Sequence, residues 1–237
     1  MDQLAQAFGF SYDVRKADID EKAIRHDEPA QLVMALAHAK ADAILTLLRS
    51  EAAAAGPGDR PGAGAGASAD DSVAEASTSG GGGAAAAGGA AARPSFLITC
   101  DQVVVHEGLI LEKPEDADQA RAFIRGYARS PAQTVGSVLC TRLGGGSAGG
   151  GGGGDVRIGT VENCTILMDP LPEEAAEKLI EEGEVLWCAG GLMVEHPLVR
   201  PHVRGIEGGG EDSVMGLGRE AVMRVLVEAA EAGADAP

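Results

Sequence analysis

Phe96 to Pro114 reads FLITCDQVVVHEGLILEKP, and this stretch restricts the fold more than any other part of the chain. An apolar run, Phe96-Leu97-Ile98, leads to Asp101 and Gln102. A second run, Val103-Val104-Val105, follows, and a Gly turn leads on to Lys113-Pro114. Runs of this kind predict strand. A carboxylate at the end or in the middle of a buried strand is costly to desolvate unless a cation or hydrogen-bond donors compensate it. Asp101 is therefore the first candidate for chemistry. The bland alternative is that it caps a loop by accepting from backbone N–H groups.

Two low-complexity tracts divide what can fold. Residues 52–93 consist largely of Ala, Gly and Ser with scattered Asp, and residues 144–154 are nearly all Gly. Such sequences bury too little side chain to offset their ordering entropy. The first is expected to be a disordered insertion and the second a flexible loop, both inside a single domain spanning 1–237.

Between the tracts the periodicity is informative. Residues 4–9 predict a short helix stopped by Gly9, and residues 10–14 alternate like a strand. Asp18 to Lys22 reads as a loop. Asp27-Glu28-Pro29 opens a helix with Asp27 at its N-cap and an apolar stripe of Leu32, Val33, Leu36, Ala37, Ile44, Leu47 and Leu48. Lys40 lies four residues from both Leu36 and Ile44 and so shares their inward face. A lysine snorkelling at the core rim and a functional ammonium are equally compatible with that spacing.

Residues 115–126 predict a helix with Ala117, Ala120, Phe123 and Ile124 inward. Gln133 to Arg142 and Val156 to Met168 predict a hairpin across the Gly tract. Pro172 to Gly183 predicts a helix, Val185 to Cys188 and Leu192 to Val194 short strands, and Arg219 to Ala232 a last amphipathic helix. Consecutive strands with separated helices argue for an α/β fold with a mixed sheet.

Composition limits the partners. Net charge is -17 and aromatic content 3%, which disfavours DNA or RNA. A small nucleotide remains possible, because a few lysines and a divalent ion can meet its phosphates locally. No apolar run is expected to span a bilayer, and MDQLAQAFGF lacks the basic-then-apolar order of a secretory signal. Cys100, Cys140, Cys164 and Cys188 form no CxxC pair, so reduced thiols and a cytoplasmic location are expected.

Several blocks, in order, resemble the Maf-like family of nucleoside triphosphate pyrophosphatases. They are Asp18-Ile-Asp-Glu21, Leu36-Ala-His-Ala-Lys40-Ala, Asp101-Gln-Val-Val with Lys113-Pro114, Ala189-Gly-Gly-Leu-Met-Val-Glu195-His-Pro197, and Asp212-Ser-Val-Met-Gly-Leu217. The resemblance implies a curved mixed sheet with flanking helices, split into two lobes by a cleft. It implies hydrolysis of a nucleoside triphosphate to monophosphate and pyrophosphate with Mg2+ or Mn2+. Asp101 would be general base and metal ligand, Glu21 the second acidic group for the ion, and Lys40 and Lys113 the phosphate cations. The lysines would lower the pKa of Asp101 by proximity. Asp212 and Ser213, after Gly208-Gly-Gly210, are weaker substrate candidates.

Gln102 and Glu195 carry the expectation about the base. Family members with this pair favour 7-methyl-GTP, whereas those with Thr and Gln favour dTTP and UTP. A carboxylate suits a methylated guanine, whose N1 and N2 edge offers donors to an acceptor-only side chain. The family also carries a Ser-x-Ser-x-x-Arg phosphate-binding motif upstream of the position matching Met1. Its absence here leaves two expectations: a native start upstream of Met1, or an N-terminally truncated, catalytically inactive nucleotide-binding or cell-division regulatory protein. Members of the family often pair as homodimers.

Overall fold

The computed structural model describes residues 6, 9, 11–54, 95–143 and 155–232. The expected Gly loop at 144–154 lies outside these residues. So does the Ala/Gly tract, apart from Ala52 to Ala54, which complete a helix. Helix α1 (Pro29–Ala54) is followed by strands β1 (Ser95–His106) and β2 (Leu109–Leu111), then helix α2 (Ala117–Gly126). The hairpin β3 (Ala132–Leu143) and β4 (Val156–Met168) comes next, then α3 (Glu173–Glu182), β5 (Val203–Glu207), the short α4 (Glu211–Val214) and α5 (Arg219–Glu231).

The strands form one open sheet in the order β2-β1-β3-β4-β5. A mixed sheet was expected; among the described residues every pairing is antiparallel. The connection from β1 to β2 fixes that pair. β1 turns into β2 through Glu107 (φ 50°) and Gly108 (φ 78°), a two-residue turn whose positive φ angles match strand twist. Parallel neighbours would need a crossover of a dozen residues or more.

Alternate residues of the central strands feed opposite faces. Val103 and Val135 meet Leu32, Val33 and Leu36 of α1, and Leu139 meets Ala37 and Ala41. On the other face, Val138 and Cys140 meet Ala221, Val222, Val225 and Ala229 of α5. Further along that face, Val104 joins a core with Ile124, Tyr127, Leu179, Ile180, Met193 and Val194. The described residues thus pack as two sets: α1 and α5 across the sheet, and α2, α3 and the 184–199 segment at its far end.

Several local expectations change. Residues 11–14 form no strand, and Phe10 and most of 4–9 lie outside the described residues. α1 starts at Pro29 directly after Glu28, whose carbonyl accepts from Leu32 N–H at 3.0 Å, so Asp27 is not its N-cap. Leu47 is exposed, and Leu45 takes its place inside, because the stripe drifts around a helix this long. By length and composition alone α1 could cross a membrane, contrary to the expectation for any segment of this chain. Its alanines and leucines instead pack on β1 and β3, as in a core helix.

The strands expected at Val185–Cys188 and Leu192–Val194 are absent. Single-turn 3-10 helices occupy Glu184–Trp187 and Ala189–Gly191, because the chain must turn sharply through Gly190 (φ 61°) and Gly191 (φ 57°). A Cβ at Gly190 would lie 2.6 Å from Tyr127 Oη and 2.8 Å from Val104 Cβ. Gly190→Ala is therefore expected to lower unfolding free energy by about 2–4 kcal/mol, combining overpacking with left-handed strain. Urea denaturation checks this; a midpoint equal to wild type would contradict the packing described.

Candidate active site

Asp101 is not at a strand end. β1 continues unbroken through it, and its carbonyl and N–H belong to the ladder opposite Ser137. Strand alternation aims its side chain at α1, where 11% of it is exposed. The compensating cation is Lys40, whose Nζ lies 2.5 Å from Asp101 Oδ1 and 3.5 Å from the Cys100 carbonyl oxygen. Glu21 Oε1 is 2.9 Å from the same Nζ. Glu21 sits on a 3-10 turn, Glu21–Ala23, fixed by the Asp20 side chain accepting from Lys22 N–H.

Buried hydroxyls set the position of Lys40. Thr99 Oγ1 donates to the Ala37 carbonyl at 2.9 Å, and Ser137 Oγ donates to the Val33 carbonyl at 2.8 Å. Both bonds tie the α1 backbone to the sheet one turn and two turns before Lys40. Two residues on from Thr99 along the strand is Asp101. No sequence signal marks Thr99 or Ser137; a hydroxyl inside a strand shows its partner only once the helix is in place.

Both lysines act on Asp101 in the expected direction, but burial is the larger effect. Burial pushes the Asp101 carboxyl above its ordinary value and outweighs Lys40 and Lys113, which both pull it down; Glu21 adds to the upward push. Burial opposes the Lys40 ammonium, but Asp101 and Glu21 together hold its pKa above the ordinary lysine value. The Cys100 thiol is raised by burial, with Lys40 acting against that. All four cysteines are free.

Lys113 is thus close enough to act on Asp101 from the β2–α2 connection. Glu195 lies in an exposed turn after the buried Met193 and Val194. Burial foremost raises the Cys188 thiol; the Glu195 and Glu184 charges add to that, and Lys113 acts against it. His196, beside Glu195 in sequence, pairs with Glu182 at 2.9 Å.

Gln102 faces the opposite way from Asp101. Its Nε2 donates to the Val214 carbonyl at 2.7 Å, in the α4 region. Asp212 and Ser213 lie on that side too. Asp212 Oδ2 accepts from Arg219 N–H at 2.9 Å and from Arg219 Nε at 3.2 Å, which caps α5. Burial works against the Asp212 charge, but those bonds hold its pKa below the ordinary value. Ser213 Oγ donates to Glu162 Oε1 at 3.4 Å, and Glu162 is held above its ordinary value mainly by burial. The structure therefore gathers Asp101, Lys40 and Glu21, with Lys113 in electrostatic reach. It places Gln102, Asp212 and Ser213 across the sheet.

For a divalent ion the donors are Asp101 and Glu21, whose oxygens converge on one point now held by the Lys40 ammonium. Among the described residues no group of three or more His, Cys, Asp or Glu side chains could hold a metal. Two hard carboxylates fit an ion such as Mg2+, which keeps waters and takes substrate phosphates as its remaining ligands. A cavity of about 60 Å³ lined by Tyr127, Arg129, Ser130, Met168 and Arg204 includes none of these groups and is too small for a nucleotide.

Several known proteins are similar to this chain. A "7-methyl-GTP pyrophosphatase" of Dictyostelium discoideum is 29% identical over 188 residues, covering 79% of this chain and 73% of that protein. A "dTTP/UTP pyrophosphatase" of Salinibacter ruber is 31% identical over 50% of this chain and 54% of that protein. A "Nucleoside triphosphate pyrophosphatase" of a Synechococcus strain is 26% identical over 81% of this chain and 79% of that protein. The family model described as "Maf-like protein" matches residues 2–229, and with the ordered blocks above this establishes that the chain belongs to the Maf-like family.

Proposed function

We propose that this chain hydrolyses a nucleoside triphosphate between its α- and β-phosphates, releasing the monophosphate and pyrophosphate, with 7-methyl-GTP as the favoured substrate. The observation that carries this is the Asp101–Lys40–Glu21 cluster on the α1 face of β1. In this reading a water oxygen forms the new bond to the α-phosphorus while the bond to the bridging oxygen breaks. Pyrophosphate leaves with that oxygen. Lys40 engages Asp101 Oδ1, so Oδ2 is the oxygen assigned to take the water's proton. Lys40 and Lys113 stabilise the charge that builds on the phosphate oxygens. A divalent ion held by Asp101 and Glu21 would add Lewis-acid polarisation of a phosphoryl oxygen.

Substrate choice rests on the exposed Glu195 and on the Dictyostelium relative. Gln102 contributes from across the sheet by fixing the Val214 turn. The test is pyrophosphate release from 7-methyl-GTP, GTP, UTP and dTTP with Mg2+ or Mn2+. We expect kcat/KM for 7-methyl-GTP to exceed that for UTP by about 10-fold or more, in line with a site that leaves its own polar groups unpaired against the wrong base. A preference for UTP or dTTP would overturn the assignment of Glu195. Nucleotide binding with no release from any of the four would favour the inactive nucleotide-binding protein.

A further inference from the structure

Trp187 is the chain's one tryptophan, and it is 58% exposed. A ring of this size is usually well covered in a folded domain, so its exposure calls for a reason. Its backbone is held firmly. It closes the 3-10 turn Glu184–Trp187, beneath which Val185 is fully buried. Just beyond it, Gly190 N–H donates to the Glu112 carbonyl at 2.9 Å, and a Cβ on Gly191 would sit 3.8 Å from Pro114 Cγ. Lys113 lies between those two anchors. Trp187 therefore belongs to the turn that packs against the Glu112–Pro114 segment, which carries Lys113.

We propose that Trp187 is the platform on which the substrate's nucleobase stacks, with Glu195 placed to accept from the base's edge. This rests on the reading of the chain as a nucleoside triphosphate pyrophosphatase, and it adds a base subsite to it. The chemistry fits a methylated guanine in particular. Every base has a π-face that stacks on an indole. N7 methylation makes the ring cationic, and a cation over the indole face gains from the ring's quadrupole. The proposal puts the base on Trp187 and the phosphates toward Lys113, the order in which a nucleotide presents them. The shape needs no enclosing pocket, consistent with an exposed ring on a rigid turn.

The single tryptophan makes the test direct. The full chain is titrated with 7-methyl-GMP, 7-methyl-GTP and GTP while indole fluorescence is followed, with free tryptophan as the absorbance control. Saturable quenching is expected, tighter for the 7-methyl compounds than for GTP. Trp187→Ala is expected to raise KM for 7-methyl-GTP about 10-fold, the scale of one lost base–aromatic stack, while Trp187→Phe retains most of the affinity. kcat should stay within about 2-fold, as for an interaction equal in ground and transition states. Inhibition by inorganic tripolyphosphate, which has no base, should be unchanged in Trp187→Ala. Absent quenching would overturn the proposal, as would a tripolyphosphate inhibition constant raised as much as KM. If the wild type hydrolyses none of these nucleotides the proposed function falls, and the quenching titration still decides whether Trp187 holds a base.

Discussion

Asp101→Asn is expected to lower kcat for the favoured nucleotide by about 10³-fold to 10⁴-fold, the upper range for loss of a positioned base. The substitution is close to isosteric. An amide oxygen remains for Lys40 to donate to, so the link between α1 and β1 persists through the Thr99 and Ser137 bonds in any case. Stability should not fall with activity. Burial already disfavours the Asp101 charge, so a neutral side chain there removes a desolvation cost. The expected pair of results is a near-inactive protein with a Tm equal to or above that of wild type. Such a combination is characteristic of a group kept for chemistry rather than for folding. Equal rates for the two proteins would remove Asp101 from the mechanism. A collapsed Tm would instead make it a structural residue whose loss disturbs α1.

Much of this was readable in the sequence where local rules act alone. The hairpin of β3 and β4 follows from two β-rich runs flanking a Gly tract, and α3 runs from just after Pro172 to Gly183 as its end signals require. The failures have different physical origins. Val185–Cys188 has strand-like composition, yet the positive φ angles of Gly190 and Gly191 fold the segment back against Val104 and Pro114. β5 passed unnoticed because it is short, carries Arg204, Gly205 and Glu207, and pairs only at the sheet edge. The two apolar runs around Asp101 leave a strand end and a strand middle both open; they are one strand, interrupted on a single face. The lysines do lower the Asp101 pKa as expected, but burial outweighs them. Charge proximity can be counted from lysines, but burial depends on α1 arriving over the strand. Thr99 and Ser137 bring it there through bonds spanning 62 and 104 residues of sequence. Contacts that distant leave no periodic trace.

Lys40→Met tests the electrostatic half of the site. Methionine keeps most of the buried stem, so α1 should stay packed on Val103 and Val135. What disappears is the ammonium shared by Asp101 and Glu21. We expect kcat/KM to drop about 10²-fold to 10³-fold, the usual loss when one preorganised donor to a developing oxyanion is removed. Losing a phosphate contact alone would do that, so the pH profile is the sharper readout. As general base Asp101 must be ionised, and kcat/KM falls as pH drops through its pKa in the free enzyme. Burial already sets that acid limb above the ordinary carboxylate value, and Lys40 pulls it down. Removing Lys40 therefore moves the limb to higher pH. Glu21 pushes Asp101 up, so Glu21→Gln moves the limb the opposite way, to lower pH. Opposite displacements from two substitutions cannot arise from a general loosening of the fold, which would shift both alike. If both variants keep the wild-type limb, the titrating base is not Asp101, and the cluster on the α1 face holds the helix rather than the reaction.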